Sequence, residues 1–434
     1  MTALAGPASA RQPGFRTLRE WLDWQVRLHF TAIELGLDRC RFVAERMGLL
    51  DPGFAVISIA GTNGKGSSAA MLDQIYRRDG YRTGKYTSPH LVRYNERICV
   101  NGAEVTDEEL CDSFQRIDEA RGDVSLTFFE FGTLAAIDIF RRAGIDVAIM
   151  EVGLGGRLDA VNILDADVAL LTTVDLDHEE WLGHDRESIG WEKAGIFRPG
   201  RVAVCADPDP PAAVVQHAAR IGARLLCLNR DFHLQESGPS WNWRFGDAVH
   251  AGLPRPFVHH ERYAQNAAGV LAVLELLAPG LPVSDAAVRA GLAEFRLPGR
   301  LQIVPGEVSY VMDVAHNPQA ARVLAANLER LPCAGESHLV IGMLRDKNHQ
   351  AVLQALSGSA RRWYFASLDG ERGSPAARLA EAFAATGSTG AASTHESVEA
   401  ALVAAAGAAA GDRIIVTGSF VTVGAALSFL NVRC

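Results

Sequence analysis

The sequence predicts an α/β protein of two units, each built on a mostly parallel sheet, the second smaller and doubly wound. Three observations carry this. Short apolar runs alternate with amphipathic segments of helix length. A Gly-rich turn bearing a lysine lies directly between one such run and one such helix. The alternation starts afresh after Leu297-Pro298-Gly299-Arg300, where Pro and Gly interrupt regular structure. A chain of 434 residues exceeds one ordinary domain, so the division falls there, giving residues 1–297 and 298–434.

Taken in order, the first unit is expected to hold strands over Phe54–Ala60, Arg82–Tyr86, Val147–Val152 and Val168–Thr173. Helices are expected at Ala69–Arg78, Phe131–Ala143, Arg186–Ala194 and Ala264–Leu277, with short antiparallel strands between Leu225 and His250. The second unit is expected to place strands at Tyr310–Val314, His338–Ile341, Trp363–Ala366 and Arg413–Thr417. Its helices are expected at Gln319–Arg330, Gln350–Ala355, Ala376–Ala385 and Val398–Ala410. The first twenty or so residues have no evident role.

Composition excludes several classes. Hydrophobic residues at 48% and charged residues at 21% belong to a well-packed globular chain. A net charge of -9 gives no general attraction to nucleic acid or to an anionic membrane, so any anionic ligand must be held locally. The longest apolar stretch, Ala400–Ala410, is broken by Gly407 and falls short of the roughly 20 residues a membrane span needs. No basic leader precedes an apolar run, which places the chain in the cytoplasm. Seven scattered cysteines (Cys40, Cys99, Cys111, Cys205, Cys227, Cys333, Cys434) without a C-x-x-C pair read as free thiols in a reducing compartment.

The strongest chemical signal follows the run Val56–Ala60. Gly61-Thr62-Asn63-Gly64-Lys65-Gly66-Ser67-Ser68 leads straight into a helix, so backbone N–H groups, a helix N-terminus and a lysine converge where a phosphate would sit. Gly66 stands between Lys65 and Ser67, which makes this a variant P-loop. The first unit is therefore a P-loop mononucleotide-binding domain, and the second a smaller Rossmann-like C-terminal domain. Glu151 puts a carboxylate at a strand's carboxyl end, where Mg²⁺ accompanying a nucleotide takes oxygen donors; capping the following Gly-rich turn is the other reading. Ser88-Pro89-His90 and Asp175-Leu176-Asp177-His178 also follow strands, and His178 either binds metal, orients a reacting group or is a satisfied surface group. Asp313-Val314-Ala315-His316-Asn317-Pro318 and Thr417-Gly418-Ser419-Phe420 end strands in the second unit. These residues describe a Mg-nucleotide enzyme with its substrate between the two units, and do not separate kinase, hydrolase and ligase.

Those motifs, with Leu91, Glu151 to Asp159 and Glu192-Lys193-Ala194-Gly195-Ile196, resemble the folylpolyglutamate synthase family of Mur-type ligases from about Glu34 to Phe420, and within it the bifunctional members that also make dihydrofolate. The resemblance implies that ATP and two Mg²⁺ ions drive the joining of L-glutamate to dihydropteroate and to tetrahydrofolates, through an acyl phosphate, in a monomer that needs neither nucleic acid nor membrane. It implies ATP contacts from Asn63, Gly64, Lys65, Gly66, Ser67, Asn266, Arg300 and Asp313. It implies metal ligands Ser88, Glu151 and His178, with Lys193 as a carbamate, and catalytic roles for Lys65, His178 and His316. The pteroate or folate falls to Glu34, Leu35, Gly36 and Leu37, to Thr127, Phe128, Phe129 and Glu130, and to Leu158, Asp159 and Ala160. A flat pterin needs apolar packing on its faces and polar groups at its edge, which Phe128 or Phe129, Leu35 and Asp159 would supply. The alternatives are a synthase that only extends folates, and a P-loop switch or transport ATPase with a binding module.

Overall fold

The computed structural model describes residues 15–31, 33–238, 240–256, 263–388 and 390–432. Cys434 lies outside them, and the six described cysteines are free. The first sheet holds β1 (Ala55–Ala60), β2 (Thr83–Tyr86), β3 (Ile98–Val100), β4 (Ala103–Glu104), β5 (Val147–Glu151), β6 (Val168–Leu171), β7 (Val202–Cys205) and β8 (Arg224–Cys227). Their order is β4-β3-β2-β5-β1-β6-β7-β8. All neighbours run parallel except the β2–β3 and β3–β4 pairs. Buried strands such as Val147–Glu151 read as continuous apolar runs because helices cover both faces, with one core on each side of the sheet.

Three antiparallel strands, β9 (Phe232–Ser237), β10 (Ser240–Phe245) and β11 (Ala248–Pro254), form a separate small sheet. The expected antiparallel stretch thus begins later than Leu225, which belongs to parallel β8. The last sheet, in the order β12-β13-β17-β14-β15-β16, consists of β12 (Gln302–Val304), β13 (Ser309–Met312), β14 (Ser337–Ile341), β15 (Arg362–Ala366), β16 (Ala391–His395) and β17 (Arg413–Thr417). Only edge strand β12 is antiparallel to its neighbour. β16 escapes a sequence reading because it is exposed along nearly its whole length and has no apolar period.

Two helix bounds differ usefully from expectation. The helix expected at Phe131 starts at Phe128, because Thr127 and Glu130 form a reciprocal cap: Glu130 N–H donates to Thr127 Oγ1 at 3.2 Å and Thr127 N–H to Glu130 Oε2 at 2.7 Å. The helix from Val398 ends at Ala405, ahead of Gly407, and stops short of Ala410. The N-terminal lead does have a role from residue 15 onward. Helix Leu18–Leu28 buries Trp21 against Phe15 and Phe114, with ring centroids 5.0 and 5.9 Å away. Among the described residues no helix is long and apolar enough to cross a membrane.

Candidate active site

Every strand-end cluster singled out above lies at the carboxyl edge of its sheet, the edge where open α/β sheets collect ligands. After β1 the chain turns at Gly64, whose φ of 91° is left-handed; a Cβ there would meet Asn266 Oδ1 at 2.6 Å, so glycine alone fits. The helix Lys65–Arg78 begins at once. The loop is clamped by the residues that leave β6. Asn63 C=O accepts from Thr172 Oγ1 at 2.7 Å and Thr173 Oγ1 at 3.1 Å, while Thr62 N–H donates to Thr173 C=O at 2.6 Å. Lys65 Nζ donates to Gly61 and Thr62 carbonyls at 3.0 and 3.4 Å.

Glu151, at the end of β5, is buried and accepts one hydrogen bond, from Ser88 N–H at 3.2 Å. Burial pushes its carboxyl up, against the pull of Lys65. A Cβ on Gly66 would sit 3.5 Å from its Oε2, so the carboxylate faces the first turn of the phosphate loop's helix. His178 sits at φ 52°, an uncommon conformation for a side chain of this kind, and burial pushes its imidazole down to about 3. It is neutral at physiological pH, and its Nε2 lies 3.5 Å from Lys347 Nζ. Lys193 is 4% exposed at the end of helix Arg186–Ala194; burial, then Lys65, push its amine down to about 7. Its helix docks on the loop after β5: Arg157 donates to Glu192 through Nη2 at 2.9 Å and lies 4.7 Å over the Trp191 ring. One buried carboxylate, one hydroxyl, one neutral imidazole and an amine poised to lose its charge suit a hard divalent cation beside nucleotide phosphates.

From the second sheet, His316 Nδ1 donates to Val314 C=O at 2.8 Å, which turns Nε2 to within 3.6 Å of Asp177 Oδ2. Asn317 and Asn63 exchange amide hydrogen bonds at 3.1 and 3.2 Å, and Asn317 Nδ2 donates to Asp177 Oδ2 at 3.1 Å. Lys347 Nζ donates to Asp177 Oδ1 at 2.6 Å. Burial alone would raise Asp177; the contacts with His316 and Lys347 more than offset it and hold the carboxyl well below the usual range. Asp313 accepts from Leu301 and Ala315 N–H at 2.8 and 2.9 Å, with Arg300 stacked 4.9 Å from the Phe420 ring.

These residues enclose two cavities. The first is lined by Asn63 to Ser67, Glu151, Lys193, Asn266, Arg300 and Asp313. The second, of 690 Å³, has Glu34, Leu35, Gly36, Thr127, Phe129, Glu130, Leu158, Asp159 and Ala160 in its lining. They share Ser88, Pro89, Gly153, Leu154, His178, His316 and Phe420, and so meet at one neck. Leu37 and Phe128 do not line the second cavity. Leu37 leads into helix Asp38–Arg46, and Phe128 packs 5.3 Å from Tyr94 beneath Arg97. Asp159 is less free than a pterin-edge group would be, since its carboxylate accepts from Gly153, Leu154 and Val161 N–H at 3.1, 2.9 and 3.0 Å. Burial nevertheless pushes it up to about 7. Lys347 and Arg372 also line this cavity and were not singled out in the sequence, where each reads as an ordinary loop cation.

Residues 59–227 match the Mur ligase middle domain and residues 299–420 the Mur ligase glutamate ligase domain. The chain is 44% identical to dihydrofolate synthase/folylpolyglutamate synthase of Escherichia coli over 96% of both chains. It matches the structure of E. coli FolC in complex with DHPP and ADP with a TM-score of 0.91 at 42% identity, covering 97% of this chain and 99% of that one. A bifunctional folylpolyglutamate synthase/dihydrofolate synthase with Mn, AMPPNP and L-glutamate bound matches at 0.89 and 43%, over 97% of this chain and all of that one. This chain belongs to the dihydrofolate synthase/folylpolyglutamate synthase family of Mur ligases.

Proposed function

We propose that this protein is an ATP-dependent ligase that joins the amine of L-glutamate to the carboxyl of dihydropteroate, giving dihydrofolate, and to tetrahydrofolates, extending them. The observation that carries the reading is the meeting of a phosphate-loop cavity and a largely apolar cavity at one neck holding Ser88, His178 and His316. A carboxylate at that neck lies between nucleotide and amine, as a route through an acyl phosphate requires: the acid oxygen takes the terminal phosphoryl group with ADP leaving, then the amine attacks the acyl carbon and phosphate leaves. When bound, ATP supplies the phosphoryl group, and two Mg²⁺ ions supply positive charge along the phosphates.

The chain's own residues supply the rest. Asn63, Gly64, Lys65, Gly66 and Ser67 cradle the phosphates, and Asn266, Arg300 and Asp313 complete the nucleotide cavity. Ser88, Glu151 and His178 suit the metal, joined by Lys193 once carbon dioxide converts its neutral amine into a carbamate anion. Lys347 and Arg372 bring positive charge to the glutamate carboxylates from the second sheet, and Asp177 holds His316 at the neck. Phe129 and Leu35 offer the apolar faces for a pterin. We place the division between the two domains at residues 297/298 and the enzyme in the cytoplasm as a monomer.

The test is ADP release with and without dihydropteroate, a tetrahydrofolate and glutamate. The reading expects release only when glutamate and one of the two acids are present together. Turnover with ATP alone would favour an ATPase, and acceptance of tetrahydrofolate but never dihydropteroate would leave a synthase that only extends folates.

A further inference from the structure

The wall of the second cavity formed by Glu34 and Glu130 is backed by a charged cluster that the reading above does not use. Glu34 and Glu130 line the cavity, one on the irregular segment Ile33–Leu37 and the other in the first turn of helix Phe128–Ala143. Arg39 stands behind both without lining the cavity. Its Nη1 donates to Glu34 Oε1, its Nη2 donates to the Glu34 carbonyl at 3.3 Å, and Nη2 also lies 3.3 Å from Glu130 Oε1. On the far side of Glu34, His29 Nε2 lies 2.7 Å from Oε2, and His29 Nδ1 is 3.0 Å from Ser125 Oγ.

Satisfaction is incomplete at two places, since Arg39 Nε is buried without a hydrogen-bond partner as well as Glu130 Oε1. Glu130 Oε2 accepts from Thr127 N–H, whereas Glu130 Oε1 is buried without a hydrogen-bond partner, at a side chain only 3% exposed. A buried carboxylate oxygen left so costs free energy unless a donor reaches it. The segment Ile33–Leu37 has no helix or strand of its own and is tied down by few bonds. Gly36 N–H donates to Leu158 C=O at 3.1 Å, Leu37 C=O accepts from Arg41 N–H at 2.8 Å, and the His29–Glu34–Arg39 chain adds side-chain ties.

We infer that Arg39 is a positioning residue for the pteroate end of the substrate: one guanidinium holds the Ile33–Leu37 wall to the helix that carries Phe129, through Glu34 on one side and the ion pair with Glu130 Oε1 on the other. The inference rests on the functional reading above. A planar fork is the group suited to this task, since it meets two carboxylates at once, where an ammonium is a single point charge.

The experiment measures calorimetric binding of dihydropteroate and of a tetrahydrofolate, the KM for ATP, kcat at saturation, and melting temperature, in wild type, Arg39→Met, Arg39→Lys and Glu34→Gln. For Arg39→Met the expected result is dihydropteroate binding weakened by about 10- to 100-fold, with kcat at saturation and the KM for ATP changed by no more than about twofold. Arg39→Lys is expected in between. If Arg39→Met fails to fold, Arg39→Lys and Glu34→Gln carry the same comparison. A folded Arg39 variant that binds dihydropteroate like wild type, or that loses ATP and dihydropteroate affinity equally, overturns the inference. Wild type that binds neither acid overturns the functional reading first, a result visible before any variant is made.

Discussion

Lys347 Nζ stands 2.6 Å from Asp177 Oδ1, and both side chains are buried, at 5% and 8% exposure. The pair joins a loop beyond β14 of the second sheet to the strand-end cluster of the first, beside the neck where the cavities meet. Breaking a buried pair by removing one partner leaves an uncompensated charge, at a cost of about 3–5 kcal/mol. Lys347→Met is therefore expected to loosen the junction, lowering kcat by about 100-fold and enlarging the radius of gyration in solution scattering. Wild-type turnover together with an unchanged scattering profile would show that the pair is dispensable.

Lys65→Ala and Glu151→Gln are each expected to lose ligase activity by about 100-fold or more, as when one preorganised electrostatic contact is removed. Circular dichroism and melting curves should stay close to wild type. Near-normal ADP release from either folded variant would sink the assignment of the phosphate and metal residues.

Lys193 gives a pH prediction with a definite sign. Burial brings its amine down from 10.5 to about 7, so the neutral form that adds carbon dioxide is scarce below pH 6 and dominant above pH 8. The same shift means the unfolded chain binds the extra proton between those two values, so this group's destabilising contribution fades as pH rises through that window. Enzyme equilibrated with ¹³C-bicarbonate should show a carbamate carbon signal that grows across neutral pH and is missing in Lys193→Ala. That variant should regain some activity with a small carboxylic acid. Full activity of Lys193→Ala without any additive would count against the carbamate.

The adjacent phenylalanines should separate cleanly. Phe129 lines the second cavity and lies 5.9 Å from Tyr86, so, if that cavity takes the pterin as proposed, Phe129→Ala is expected to raise the KM for dihydropteroate about tenfold, with little change in melting temperature. Phe128 packs between Tyr94 and Arg97, so Phe128→Ala is expected to cost about 1–3 kcal/mol of stability and little affinity. The reverse pattern would exchange their roles.

Asp159→Ala is expected to weaken dihydrofolate formation more than folate extension. The carboxylate organises the Gly153–Leu154 turn and caps the following short turn through three backbone N–H groups, so its loss reshapes the cavity wall. Equal losses in the two product assays would reduce Asp159 to a general structural cap.

Legibility in the sequence followed the kind of contact involved. The Gly61–Ser67 loop, Glu151, Asp177-His178 and Asp313–Pro318 could be read because polar residues after an apolar run are out of place unless they sit at a sheet's carboxyl edge. Lys193 gave no local signal: a Glu-Lys pair on a helix is usually solvated, and here the loop after β5 packs so closely on this helix that a Cβ on Gly156 would lie 2.8 Å from the Lys193 carbonyl. Arg39 and Lys347 were silent for the same reason, since their partners are brought in by the fold. Helix starts shifted where a cap, as at Thr127, acts ahead of the apolar period.

The clamp on the phosphate loop decides where its ordering cost falls. Because Thr172 and Thr173 both hold the Asn63 carbonyl, and Thr62 Oγ1 donates to Asp175 C=O at 3.0 Å while accepting from Asp175 N–H at 3.0 Å, the turn is pinned at several points by the chain leaving β6. Its backbone freedom, about 1–2 kcal/mol per residue, is surrendered when the protein folds and not when a nucleotide arrives. Nucleotide capture then needs no rearrangement of the cradle, and the threonines that pin the loop's backbone help govern how tightly a phosphate is held.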